Sequence, residues 1–130
     1  MIVVDASALL EVLLHTFRSG SIEARLFDSF ETLHCPDLLD IEVAQVICRF
    51  EMAGEIEADR ATAALDDLMG LPIRRYSHGF LLPRVWTLRT NLTAYDAVYV
   101  ALAEQLEATL LTHDRRLAAA ARRHVTVELV

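Results

Sequence analysis

Short β-branched runs alternate with stretches of helical spacing along the whole chain. Residues 1–4 (MIVV) form the first run and end at an acid, Asp5; residues 7–15 (SALLEVLLH) then place apolar side chains on one helical face. Residues 18–21 (RSGS) read as a loop, and helical spacing resumes over 22–30 (IEARLFDSF). A short strand at 32–36 (TLHCP) is stopped by Pro36, and Asp37 is placed to cap a helix over 38–54 that ends at Gly54. A helix over 57–69 stops at the Gly-Leu-Pro breaker. Residues 73–76 (IRRY) suit a strand, and 79–91 a helix that tolerates Pro83 only in its first turn. Thr93 caps a helix over 94–107 whose centre (AVYVALA) is apolar almost all round, which marks it as the buried one. A strand at 108–112, a helix at 113–123 and a strand at 125–130 complete the pattern.

Strands alternating with helices predict an α/β three-layer domain, a central, mainly parallel sheet flanked by helices. With 130 residues, no internal repeat and only four glycines and three prolines, a single domain over 1–130 is expected. A core of that size needs no disulfide or structural metal.

Composition narrows the chemistry. The net charge is -7, and all twelve basic residues are arginines. Such a chain does not attract nucleic acid at long range, so a nucleic-acid substrate needs local arginine patches, bound cations or a basic partner. Without lysine there is no P-loop, no Schiff-base chemistry, and no phosphoryl-sensing lysine of a signalling receiver. Cys35 and Cys48 lack a C-x-x-C spacing and read as free thiols in a reducing compartment. No signal-peptide pattern or bilayer-length apolar stretch occurs, so the expected location is cytoplasmic, with no membrane contact. Apolar residues reach 54%, a proportion compatible with cover by a partner or a second copy.

Four acids stand where a core does not want them. Asp5 follows the first strand and Asp114 the strand at 108–112, at the sheet edge where α/β ligands bind; either could equally cap the helix that follows. Asp96 lies in the first turn of the most apolar helix, where an unpartnered carboxylate is costly. Glu42 flanks the apolar stripe Leu39, Val43, Val46, Ile47 and Phe50. Carboxylates converging without cations would repel one another, and a hard divalent ion would relieve that conflict. Spacing alone does not show that the four meet.

The segments IVVDASALLEVLL, Pro36 to Glu42, LTAYDAVYVALA and LLTHDRRLAAAA resemble, in order and over nearly the whole chain, those of PIN domains. Among these the chain is most similar to VapC-type toxins of bacterial toxin–antitoxin pairs. The resemblance implies an endoribonuclease with Asp5, Glu42, Asp96 and Asp114 around Mg²⁺ or Mn²⁺. It also implies Ser7 and Thr112 as hydroxyls beside the cluster, a VapB-type antitoxin over the acidic groove, and a homodimer. Arg115 or Arg116 is the expected RNA contact, while Arg122 and Arg123 suit the end of their helix. Arg74 and Arg75 could form a further phosphate patch. His113 is read as an exposed neighbour, and Tyr95 and Tyr99 as core residues rather than base-stacking ones. The alternative is a PIN-fold binding module that has lost catalysis; cleavage of DNA instead of RNA stays open.

Overall fold

A computed structural model describes residues 1–28 and 30–130; Ser29, in the stretch read as helical, lies outside the described residues. Five strands form the sheet: β1 (Ile2–Val4), β2 (Leu33–Pro36), β3 (Ile73–Tyr76), β4 (Thr109–Thr112) and β5 (Val127–Leu129). Their order is β3-β2-β1-β4-β5, and every neighbouring pair is parallel. The central strand β1 is wholly buried, as an uninterrupted β-branched run between two neighbours should be, whereas the edge strand β5 is partly exposed.

The helices are α1 (Ala6–Leu13), α2 (Ser19–Leu26), α3 (Leu38–Met52), α4 (Ala58–Gly70), α5 (Leu82–Thr87), α6 (Ala94–Leu106) and α7 (Arg115–Ala121). Helices α1 to α4 pack together and α5 packs on α6; the right-handed crossovers that parallel sheets adopt assign α1 to α4 to one face and α5 to α7 to the other. The path runs from β1 outward to β3, then returns to the opposite side of β1 as β4. The carboxyl ends of β1 and β4 therefore flank the point where strand order reverses, the position at which open parallel sheets bind ligands.

Helix α6 lies against β1, β2 and β4, and every residue from Ala97 to Ala103 is buried. Small residues alternating with Val, Tyr and Leu let it approach the sheet closely. Its start is as the sequence predicts: the Thr93 hydroxyl accepts from the Asp96 amide at 3.2 Å.

Three local expectations differ. Residues 19–21 belong to α2 and not to a loop: the Ser19 amide donates to the Thr16 carbonyl, opening the first turn, while buried Ile22 and Leu26 hold the helix to the core. Asp37 makes no cap, because its own backbone is already helical; His78 Nε2 accepts from the Leu38 amide at 3.0 Å instead. The stretch around Pro83 is a 3-10 turn (Gly79–Leu81) followed by the short α5, with Pro83 in its first turn.

Leu102 is fully buried on α6. Leu102→Ala is expected to lower unfolding stability by about 2–5 kcal/mol, read from urea denaturation. A loss below ~1 kcal/mol would show that α6 is not the core helix its burial indicates.

Candidate active site

Asp5 leaves β1 with its amide donating to the Leu111 carbonyl of β4. It occupies the cap position of α1 but its side chain caps nothing. Oδ2 accepts instead from Ser7 Oγ at 2.5 Å and Thr112 Oγ1 at 2.8 Å, and the two hydroxyl oxygens lie 3.2 Å apart. These hydroxyls are held in turn: the His113 amide donates to Ser7 Oγ and the Asp114 amide to Thr112 Oγ1. Both hydroxyls therefore stand beside Asp5.

Asp114 takes the cap role that the sequence offered and also lines the groove. Its Oδ1 caps α7, accepting from the Arg116 and Leu117 amides at 2.7 and 3.2 Å, while Oδ2 makes no described bond. Glu42, on α3, is also anchored by one oxygen: the Tyr99 hydroxyl of α6 donates to Oε1 at 2.6 Å. In Glu42 and Asp114 one oxygen is committed to the protein and the other takes no described hydrogen bond, whereas the Asp5 carboxylate also meets the backbone amides of Ser7 and Ala6.

A groove of about 500 Å³ is lined by Asp5, Glu42, Asp96 and Asp114 together. Burial is the main cause that raises the carboxyl pKa of Asp5, partly offset by the Ser7 and Thr112 hydroxyls. Glu42 is raised by burial and then by the charges of Asp5 and Asp96, against the lowering effect of the Tyr99 hydrogen bond. Asp96 is raised by burial, then by Asp5 and Asp114, with Arg116 opposing. Among the described residues, none of the four forms a salt bridge. Nor, among them, does any group of three or more His, Cys, Asp or Glu side chains form a ready-made metal site. Mutual repulsion favours such a spread. The donor set is nonetheless oxygen only, which suits Mg²⁺ or Mn²⁺ and not zinc.

The remaining candidates separate. The charge of Arg116 acts on Asp96, whereas Arg115 lines a different hollow with Arg18 and His113. Half-buried His113 bonds the Val130 carbonyl through Nδ1. Arg75 is tied to Asp40 at 2.7 and 3.1 Å and to the Leu68 carbonyl, so it holds the fold; Arg74 lies over the Tyr76 ring. Tyr99 is 1% exposed, a core residue as expected, but its hydroxyl belongs to the site. The sequence signal for that is its three-residue spacing from Asp96, which puts both on one face of α6. Tyr95 is 63% exposed on the groove wall, contrary to the core expectation, because its place in α6 precedes the buried stretch. Cys35 and Cys48 are both free thiols, the first buried and the second exposed.

These shifts set the sign of a pH effect on the metal-free fold. An acid whose pKa is raised by folding stabilises fully at low pH, and that stability is lost as pH rises from the ordinary carboxylate range through the folded value. With chelator present, Asp96→Asn should be more stable than wild type at neutral pH. The difference should vanish toward acidic pH, read as urea midpoints across a pH series. Equal midpoints at neutral pH would remove the repulsion argument.

The PIN domain family matches residues 2–123. Ribonuclease VapC9 of Mycobacterium tuberculosis is 44% identical over 117 residues, which cover 90% of this chain and 88% of that one. Ribonuclease VapC1 of the same organism is 43% identical over 119 residues, 91% and 89% of the two chains. The crystal structure of VapBC2 from Rickettsia felis bound to a DNA fragment from their promoter shares the fold at a TM-score of 0.73 and 14% identity, covering 99% of this chain and 98% of that one. A match over nearly the full length by the family, by relatives and by fold has one reading: the chain belongs to the PIN-domain family, among its VapC ribonucleases.

Proposed function

We propose that this chain, as one PIN domain over residues 1–130, is a metal-dependent endoribonuclease and the toxin of a toxin–antitoxin pair. The observation that carries the reading is the meeting of Asp5, Glu42, Asp96 and Asp114 on one groove without a described salt bridge. These four would hold Mg²⁺ or Mn²⁺ through the oxygens that the protein leaves uncommitted. When bound, the cation would lower the pKa of the attacking water and neutralise charge developing on the phosphate.

The protein's part is placement. Ser7 and Thr112 fix Asp5, the first turn of α7 fixes Asp114, and Tyr99 fixes Glu42, so the ligands need little reordering. Hydrolysis adds water across a P–O bond, leaving a phosphate monoester on one fragment and a hydroxyl on the other. Glu42 completes the set or orients the water. Arg116, beside Asp96, is the better placed of the two candidate arginines to meet a flanking phosphate.

A VapB-type antitoxin fits the net charge of -7, which favours a partner with a basic segment. The Rickettsia felis relative by fold is itself a VapBC complex. Exposed Ile41, Met52, Phe80 and Trp86 supply apolar surface for the antitoxin or for a homodimer. A cytoplasmic location is part of the same reading; no described helix is long and apolar enough to cross a membrane.

Purified, antitoxin-free protein is expected to cut total cellular RNA into discrete fragments with Mg²⁺ or Mn²⁺. Activity should fall to background in EDTA, and in Asp5→Asn and Asp96→Asn variants that keep the wild-type fold. A folded Asp96→Asn that still cuts would sink the assignment, and a folded, metal-loaded wild type without activity would favour the binding module.

Tyr99→Phe should weaken Mn²⁺ binding by about tenfold, measured by calorimetry on the unliganded protein. In an Glu42→Gln background the same change should have no further effect, because Tyr99 acts through Glu42. Equal losses in both backgrounds would assign Tyr99 to packing alone.

A further inference from the structure

The ring of Tyr95 borders two depressions. One is the acid groove; the other is a recess of about 160 Å³ walled by Leu38, His78, Leu82, Val85, Ala94 and Val98. Leu38 and Tyr95 line both, so the two adjoin across these side chains. Since Tyr95 precedes Asp96, the recess opens within one residue of the acid cluster.

We propose that this recess receives one unstacked base of a single-stranded RNA, seated on the Tyr95 ring, while the adjoining phosphate lies in the acid groove. The inference rests on the ribonuclease reading above and names the form of its substrate.

Size, polarity and charge converge on a base. Pockets that enclose whole small molecules run to about 300–1,000 Å³, so this recess suits a single flat ring system. Its walls are aliphatic apart from His78 and Tyr95, and His78 Nε2 is already occupied by the Leu38 amide. The neutral imidazole then has only its Nδ1–H left to donate. Such a wall grips a π-face and reads little of a base edge. The four neighbouring carboxylates disfavour an anionic occupant, whereas a base is neutral. The phosphates need cations of their own. Arg49 supplies one: it lies two helical turns from Glu42, lines the acid groove and has no partner among the described hydrogen bonds and salt bridges. A strand crossing from Arg49 past the acids would bring a base to Tyr95.

The test uses single-stranded RNA carrying 2-aminopurine at one position, moved stepwise along the sequence, and the full chain with Asp5→Asn to prevent cleavage. Fluorescence should be quenched at one position beside the wild-type cut. In Tyr95→Ala that quench should disappear and RNA affinity fall about five- to hundredfold, while Tyr95→Phe keeps both. Mn²⁺ affinity and melting temperature should be unchanged in Tyr95→Ala. Quenching that persists in Tyr95→Ala, or unchanged RNA affinity, would overturn the proposal. Unchanged RNA binding with weakened capture of a protein partner would also overturn it and give the recess to a protein side chain. Absence of RNA cleavage by the wild type defeats the ribonuclease reading itself, an outcome separate from failure of the base subsite.

Discussion

Asp5 is 7% exposed, at the carboxyl end of the central strand, and much of the site follows from how that carboxylate is kept there. Desolvation acts against its charge, and with no described salt bridge the fold compensates with two hydroxyls on one oxygen. Ser7 comes from α1 and Thr112 from the end of β4, so the carboxylate also ties two elements that are distant in the chain. The amides of His113 and Asp114 continue the network into the turn before α7. One buried charge thereby sets the positions of the strand ends on either side of the switch point.

Helix α6 serves the core and the site with different faces and different ends. From Ala97 to Ala103 it is interior, which fixes its height and rotation against the sheet. Its first turn emerges beside β1 with Tyr95 outward and Asp96 toward the groove. Tyr99, one turn further, is buried by its ring yet reaches Glu42 on α3 through its hydroxyl. A buried phenol with a hydrogen-bond partner is the ordinary resolution of its mixed polarity. Here that partner is a site acid, so packing of the core and orientation of the groove are a single problem.

The groove gathers like charges on a protein that is acidic overall. Three arginines elsewhere are committed to acids, Arg25 to Glu31 and Glu128, Arg75 to Asp40, and Arg84 to Glu104, while Arg49 lines the groove without an ion-pair partner among the described residues. The positive charge of Arg116 opposes the raised pKa of Asp96. Repulsion at the groove is therefore left largely uncancelled by the chain itself. That suits a surface whose partners bring positive charge, whether as a divalent ion or as a basic protein segment.

Much was legible from order and periodicity alone. Strand-helix alternation carried the parallel α/β architecture, and the all-round apolar stretch 97–103 marked the central helix. The four acids stood out because each interrupts or borders an apolar run. What spacing does not encode is convergence: Asp5 and Asp114 become neighbours only because β4 returns to the far side of β1, and Glu42 joins them through α3 on the opposite face from α6. The same limit hid Tyr99, whose hydroxyl finds its partner 57 residues away, and His78, which replaced Asp37 at the start of α3. Tyr99 falls inside the apolar stretch 97–103 and Tyr95 just before it, a difference that the sequence carried but that burial by tertiary neighbours made decisive. Local sequence dictates periodicity and end signals because those energies act over a few residues. Asp114 is oriented by its own helix, but the donors that orient Glu42 (Tyr99) and complete the hold on Asp5 (Thr112) come from remote segments, and tertiary packing decided that.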